Sequence, residues 1–260
     1  MPSSRPTYTY SDFTDDLVTN SGQHITLPAD YCYLPRSTAW HIGSTLWYAL
    51  FIPISWIYCR AVLHVRFRGL RTIRKCCHSS GCFVYANHTQ PVGDAFIPIC
   101  LGLGRRIHVV VSPANFGVPF LGRIIPYLGA LPTASTPSGL KRFGEAIQKR
   151  IAQRRPIFIY PEAHVWPYYT GIRPFPDTSM RYPIQCDVPS YVMTTTYHKP
   201  RWGRKPRITT YIDGPFVPDP RLPPREQRAW LHRIITRTMQ WRAAGSDYQY
   251  AEYIKKECGN

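Results

Sequence analysis

A histidine and an aspartate lie close together in the segment "FVYANHTQPVGDAFIP", which begins at Phe83. His88 directly follows a short apolar run, and Asp94 comes after Pro91, a residue type that favours the first turn of a helix. An imidazole with one nitrogen held by a carboxylate can take a proton from an attacking hydroxyl through its other nitrogen. The pair indicates general-base chemistry, while a loop histidine followed by a helix-capping aspartate is the alternative for these two residues alone.

Two further segments place polar side chains after apolar runs. The segment "NFGVPFLGRIIPYLGALP" contains a Gly-x-x-Phe-x-x-Arg pattern over residues 117–123. An arginine presented by such a turn offers a planar fork for a phosphate group. In "IFIYPEAHVWPYYTGIRPF" the apolar run ends at Glu162, and His164 and Arg173 follow on the same predicted loop.

Four motifs therefore occur in a defined order along the chain. They are Asn87-His88 with Asp94, the pattern that ends at Arg123, the apolar-Pro-Glu pattern that ends at Glu162, and Val188-Pro189. Over about residues 60–215 this ordered set resembles the glycerolipid acyltransferase family, particularly the 1-acylglycerol-3-phosphate acyltransferases. Each motif is weak by itself, and the order of the four carries the resemblance.

The resemblance implies transfer of a fatty acyl chain from acyl-CoA or acyl-carrier protein to the free hydroxyl of a lysophospholipid. The expected acceptor is 1-acylglycerol-3-phosphate, which would give phosphatidic acid, and no metal or further cofactor is implied. His88 would act as the general base and Asp94 as its orienting partner. The residues expected to contact substrate are Asn87, Gly117, Phe120, Arg123, Glu162, His164 and Arg173.

The sequence departs from the family pattern in two places. Five residues separate His88 from Asp94 where the family has four, and we expect Gly93 to absorb the extra residue in a bulge or tight turn. The third motif lacks the arginine that usually follows its glutamate. We expect Arg173 to replace that arginine as a phosphate ligand, with His164 as a second contact.

From residue 64 onward, short strand-like runs alternate with helical stretches. An amphipathic helix is expected after Thr136-Pro137, with Leu140 at the start of its apolar stripe, and another from about Arg225 to Arg242. This alternation predicts an α/β fold with a mostly parallel sheet flanked by helices over residues 64–260, the acyltransferase domain. The predicted strands are "VRFRGL", "CFVYAN", "IHVVVSP", "PIFIYPE", "VPSYVMTTTY" and "RITTYIDGPF".

The first quarter of the chain differs from the rest. Residues 1–38 show neither helical nor strand periodicity, which predicts an irregular N-terminal arm. Residues 39–63 are apolar and aromatic with Pro53 inside, and a bilayer span needs about 20 apolar residues. We predict a membrane-associated helix or helical hairpin here, with a buried core helix as the alternative.

Charge and cysteine content constrain the partners. The chain carries a formal net charge of +17, which attracts nucleic acid, anionic lipid or phosphate-bearing substrates. We expect a peripheral or monotopic protein at the cytoplasmic face of a membrane, with anionic lipid and acyl-carrier protein as partners. The alternative is a basic protein that binds nucleic acid or anionic membrane on a degenerate acyltransferase scaffold. "CCHSSGC" lacks a second pair of metal ligands at finger spacing, so we predict no metal site there.

Overall fold

The computed structural model describes residues 5–18, 25–28 and 30–256. Its strands are β1 (Thr7–Tyr10), β2 (Arg66–Arg68), β3 (Phe83–Ala86), β4 (His108–Val111), β5 (Ala130–Pro132), β6 (Ile157–Ile159), β7 (Ser190–His198), β8 (Arg207–Phe216) and β9 (Glu252–Lys255). Its α-helices are α1 (Thr38–Ile57), α2 (Leu70–Ser79), α3 (Gly93–Cys100), α4 (Leu121–Leu128), α5 (Pro137–Ala152), α6 (Arg181–Cys186) and α7 (Pro224–Ala243).

Within the described residues, a seven-stranded sheet has the strand order β2-β8-β7-β3-β6-β4-β5. Neighbouring strands are parallel except for β7 and β8, which form an antiparallel pair. The carboxyl ends of β3, β4 and β6 therefore meet at one edge of the sheet, where ligands gather in folds of this kind. The predicted α/β fold with a mostly parallel sheet is confirmed.

Helices cover both faces of this sheet. The central strand β3 is fully buried, and its alternate side chains enter two different hydrophobic clusters. Val84 packs in the cluster that contains Ile73 of α2, while Tyr85 packs in the cluster that contains Ile147 of α5 and Ile235 of α7. Burial of a strand on both faces is typical of parallel sheets with helices on each side.

The start of the helix α5 is set by the capping residue that the sequence predicts. The Thr136 hydroxyl accepts a hydrogen bond of 3.1 Å from the Gly139 N–H, so it caps the helix at the predicted position. Phe143 is buried as expected, whereas Leu140, which was expected on the same apolar stripe, is 42% exposed. The segment "CCHSSGC" begins inside α2, which ends at Ser79.

The N-terminal arm contains a strand that the sequence pattern did not predict. β1 pairs in parallel with β9, with Thr7 opposite Glu252, and the Tyr8 and Tyr253 rings stack at 5.4 Å. The two strands are far apart in the chain, so neither has a local partner that a periodicity argument could detect. The other parts of the predicted arm and domain, residues 1–4, 19–24, 29 and 257–260, lie outside the described residues.

The apolar segment after the arm is one helix rather than a hairpin. α1 continues through a π-helical turn at Tyr58–Val62, and together they are long and apolar enough to cross a membrane. Only 17% of its most apolar window is buried, which argues against the buried core helix. The helix packs along α3 and α4, where Phe51 stacks on Phe96 and Trp40 stacks on Tyr127.

The outer side of α1 is an exposed apolar surface. We call it the apolar face of α1, and its members include Ile42, Leu46, Leu50, Trp56 and Ile57, each more than half exposed. A contiguous surface of this kind marks a site of protein or membrane interaction. α1 is therefore a candidate for membrane association.

Candidate active site

His88 and Asp94 meet at the carboxyl end of β3. The His88 Nδ1 atom lies 2.7 Å from the Asp94 Oδ2 atom, which also accepts a hydrogen bond of 2.9 Å from the Gln90 N–H. The His88 side chain is 19% exposed and that of Asp94 is 3% exposed. Among the described residues, nothing donates to or accepts from Nε2 of His88, so this nitrogen can take a proton from a substrate.

The additional residue between His88 and Asp94 is absorbed in the turn before α3. The Asp94 N–H donates to the Gln90 carbonyl over 3.1 Å, which closes a turn through Pro91 and Val92. Of the two expected devices, a bulge or a tight turn, the structure has the turn; Gly93 itself is the first residue of α3 and lies outside the left-handed region. A Cβ atom at Gly93 would lie 2.9 Å from the side chain of Gln90, and close packing therefore explains the glycine.

Tyr160 completes the surroundings of the dyad, although the sequence interpretation missed it. Its ring stacks on the His88 imidazole with 4.4 Å between centroids, and its hydroxyl donates to the Asp94 carbonyl over 2.6 Å. Burial raises the pKa of Tyr160 well above its ordinary value, so the hydroxyl remains a donor. The available signal was its position directly after β6, which pairs with β3.

Glu162 lies behind the dyad and fixes the backbone of its histidine. Its Oε2 atom accepts 3.2 Å hydrogen bonds from the His88 N–H and from Nη2 of Arg173, and its Oε1 atom accepts from the Arg173 N–H over 3.1 Å. Neither side chain of this ion pair is exposed. Burial raises the pKa of Glu162, while the Arg173 guanidinium and the donated N–H groups oppose that shift.

Arg173 is therefore not a phosphate ligand, and that prediction is wrong. Its Nη1 atom donates to the Phe13 carbonyl over 3.1 Å, its Nη2 atom also donates to the His164 carbonyl, and its guanidinium lies over the Trp166 ring. Glu162 is equally inaccessible to a substrate. Both residues instead connect the loop after β6 to the arm and to the dyad.

Asn87 and His164 are also engaged with the protein. The Asn87 side-chain amide donates to the Thr195 carbonyl over 3.0 Å and accepts from the Thr195 N–H over 2.8 Å, which joins the end of β3 to β7. The buried Asn87 amide is thus a structural clip rather than the expected substrate contact. His164 Nδ1 lies 3.2 Å from the Asp16 carboxylate of the arm.

The fold that carries this dyad is similar to that of a solved acyltransferase. The crystal structure of the 1-acyl-sn-glycerophosphate (LPA) acyltransferase PlsC from Thermotoga maritima matches with a TM-score of 0.55 and 17% sequence identity. The match covers 83% of this chain and 87% of that chain. No family model matches the sequence, and neither does any curated protein. The structural likeness supports the predicted glycerolipid acyltransferase fold.

Within this PlsC-like fold, the second motif lies on the segment between β4 and β5. Gly117 ends a short 3-10 helix after β4, and Phe120 is 86% exposed at the start of α4. Arg123 is exposed on α4 and lines a cavity of about 640 Å³ whose wall includes His108. No described hydrogen bond or ion pair connects Arg123 to His88.

The fourth motif lies at the opposite edge of the sheet from the dyad. Val188 and Pro189 immediately precede β7, and the Pro189 carbonyl accepts a 3.1 Å hydrogen bond from the N–H of Phe83 at the start of β3. Because β3 and β7 are parallel, this contact joins their amino ends. The fourth motif is thereby tied to the sheet through its backbone.

Proposed function

We propose that this chain is an acyltransferase that moves a fatty acyl chain from acyl-CoA or acyl-carrier protein to the free hydroxyl of a lysophospholipid. The proposed acceptor is 1-acylglycerol-3-phosphate. The observation that carries the proposal is the 2.7 Å contact between His88 Nδ1 and Asp94 Oδ2 at the carboxyl end of β3. The similarity of the fold to an LPA acyltransferase supports the same reaction class.

The proposed reaction uses His88 first as a base and then as an acid. Asp94 holds the Nδ1–H of His88, and Nε2 takes the hydroxyl proton as the acceptor oxygen bonds to the thioester carbonyl carbon. Backbone N–H groups and the helix dipole at the start of α3 would stabilise the developing oxyanion. The carbon–sulfur bond then breaks, the ester is released, and the thiolate takes the proton from His88. No acyl-enzyme intermediate is required.

We further propose that the apolar face of α1 rests in the interface of the cytoplasmic leaflet. α1 packs on α3, the helix that carries Asp94, so the dyad would lie close to the lipid surface. Exposed Arg60, Arg66 and Arg68 follow α1 in the chain. Each basic residue near an anionic leaflet contributes on the order of 1 kcal/mol to binding.

The test is acyl transfer by the purified full-length chain. Lysophosphatidic acid is incubated with acyl-CoA in one series and with acyl-carrier protein in another, while thiol release and phosphatidic acid are measured. His88→Ala should lower turnover by about 10²-fold or more, since a positioned base supplies that much. His78→Ala, at an exposed histidine on α2, is the matched control and should leave turnover unchanged.

One outcome would contradict the proposal. Thiol release no higher than that of His88→Ala, across several lysolipid acceptors and both donors, would exclude acyl transfer to these lipids. Salt-dependent nucleic-acid binding without lipid turnover would instead favour the alternative, a basic protein that binds nucleic acid on a degenerate acyltransferase scaffold.

A further inference from the structure

The 640 Å³ cavity lies at the edge of the sheet opposite the dyad. Its wall includes His108 at the start of β4, Gly129 just before β5 and Arg155 shortly before β6. These strands run parallel to β3, so the cavity lies at their amino ends while His88 follows the carboxyl end of β3. The cavity is therefore a second location, distinct from the acyl-transfer site.

Positive charge dominates the lining of this cavity. The charged side chains on its wall are four arginines (Arg106, Arg123, Arg150 and Arg155) and the carboxylate of Asp30. Across the described part of the chain, none of these arginines forms an ion pair with a carboxylate. Arg106, Arg150 and Arg155 are buried or half-buried, and each lacks the carboxylate partner that guanidinium groups in such positions usually have.

The guanidinium groups bond only to neutral partners. Arg106 donates to the Ser44 hydroxyl over 2.6 Å and to the Tyr127 carbonyl, and Arg155 donates to Nε2 of His108 over 3.4 Å. The other ring nitrogen of His108 donates to the Gly129 carbonyl over 3.0 Å, which fixes a neutral imidazole. This network orients the arginines without neutralising them.

Arg150 is the most buried of the four. It is 6% exposed, and its Nε atom has no hydrogen-bond partner among the described residues. Burial and the neighbouring Arg155 lower its pKa to about 10, which leaves it charged at neutral pH. A buried guanidinium without a carboxylate partner is destabilising, so the position of Arg150 on the wall of a cavity points to a ligand that supplies negative charge.

We propose that this cavity binds a small molecule that carries a phosphate monoester. Phosphate oxygens match the planar donor fork of arginine, and several arginines around one cavity favour a doubly charged group. The volume falls within the range of about 300–1,000 Å³ that is typical of small-molecule sites. Tyr31, Trp40 and Tyr127 add aromatic surface on which an attached base or apolar group could stack. The proposal does not depend on acyl transfer.

Two probes distinguish the two sources from which the phosphate could come, a coenzyme donor and a lipid headgroup. One is adenosine 3′,5′-bisphosphate, which represents the nucleotide part of a coenzyme donor. The other is sn-glycerol 3-phosphate, which represents a lipid headgroup, and inorganic phosphate serves as the minimal ligand. Calorimetric titration of the full chain with each probe, without any acyl thioester, should give saturable binding for at least one of them.

Substitutions then locate the site. Arg155→Gln should weaken binding at least tenfold, whereas Arg154→Gln should change it less than twofold, because the adjacent exposed Arg154 carries the same charge outside the cavity. Arg123→Gln on the surface of α4 provides a second test that does not disturb the His108 network, and it should also weaken binding. His88→Ala should retain the affinity of the wild-type chain.

Several outcomes would overturn the proposal. They are the absence of saturable binding for all three probes, equal weakening by Arg154→Gln and Arg155→Gln, and loss of binding in His88→Ala. The first would leave the cavity without a phosphate ligand, the second would indicate general attraction to a basic surface, and the third would place the phosphate at the dyad. Since turnover is not measured, these results are independent of the acyl-transfer test.

Discussion

Buried arginines have different partners at the two edges of the sheet, which are the carboxyl edge with the dyad and the amino edge with the arginine-lined cavity. At the carboxyl edge, Arg173 is fully buried against the Glu162 carboxylate, which in turn fixes the backbone of His88. At the amino edge, Arg150 is almost equally buried but bonds only to neutral groups. An arginine that already has a carboxylate partner supports the fold, whereas one that lacks it is available to an anion. Burial alone therefore does not distinguish a structural arginine from a ligand-binding one.

The largest expected effect comes from breaking the pair at the carboxyl edge. Arg173→Gln should lower the free energy of unfolding by about 3–5 kcal/mol, because it leaves the Glu162 carboxylate buried without its partner. Arg123→Gln at the amino edge should change it by less than about 0.5 kcal/mol, as is usual for exposed positions. Urea unfolding of the two variants measures the difference, and equal losses would contradict the contrast between the edges.

The next effect concerns the dyad itself. Asp94→Asn should reduce turnover by about 10²-fold, since the amide cannot hold the imidazole as the carboxylate does. The protein should remain folded because the Gln90 N–H can still donate to the side-chain oxygen. Initial rates of thiol release, together with circular dichroism, check this expectation. Unchanged rates would show that the longer spacing forms a contact without a catalytic role.

A third prediction concerns the pH dependence of the protein's stability that arises from His108 at the amino edge. Burial, with Arg150, Arg155 and Arg106 nearby, lowers the pKa of His108 well below its ordinary value of 6.5. The unfolded chain then binds a proton that the folded chain does not, so stability is lost as the pH falls below about 6.5, by up to about 1.4 kcal/mol per pH unit. Unfolding at pH 7.5, 6.5 and 5.5 should show a smaller loss in His108→Gln, and parallel curves for the two proteins would refute this.

The smallest effect concerns Tyr160. Tyr160→Phe removes the hydrogen bond to the Asp94 carbonyl but keeps the ring that stacks on His88, so stability should fall by about 1 kcal/mol. If the hydroxyl also orients the dyad, the KM for the acceptor should stay constant while kcat falls. A variant with wild-type stability and wild-type kcat would remove Tyr160 from the description of the site.

The dyad could be predicted from the sequence because both residues lie in one short segment between a strand and a helix. The partners behind it could not be predicted in the same way. Glu162 and Arg173 are charged, so composition alone suggests exposure, and their burial arises only when the loop after β6 folds against the arm. The predicted phosphate ligand at Arg173 failed for this reason.

The cavity at the amino edge could not be predicted from the sequence because its arginines come from separate elements. One local signal was available in α5, where Arg150 lies three residues after Ile147 and seven after Phe143, on the buried stripe of the helix. A charged residue at such a position requires either a partner or a ligand. Sequence periodicity identified the strands and helices well, whereas it carried no information about which loops and side chains would meet.

The pairing of β1 with β9 also affects how the protein is made. The Phe13 and Asp15 carbonyls of the arm accept hydrogen bonds from Arg173 and Trp166, and Tyr253 stacks on Trp166 with 5.1 Å between ring centroids. Contacts between such distant parts of the chain form slowly because a long loop must close first. During synthesis, β1 therefore cannot pair until β9 has been made, so this parallel pair forms later than the contacts between neighbouring elements.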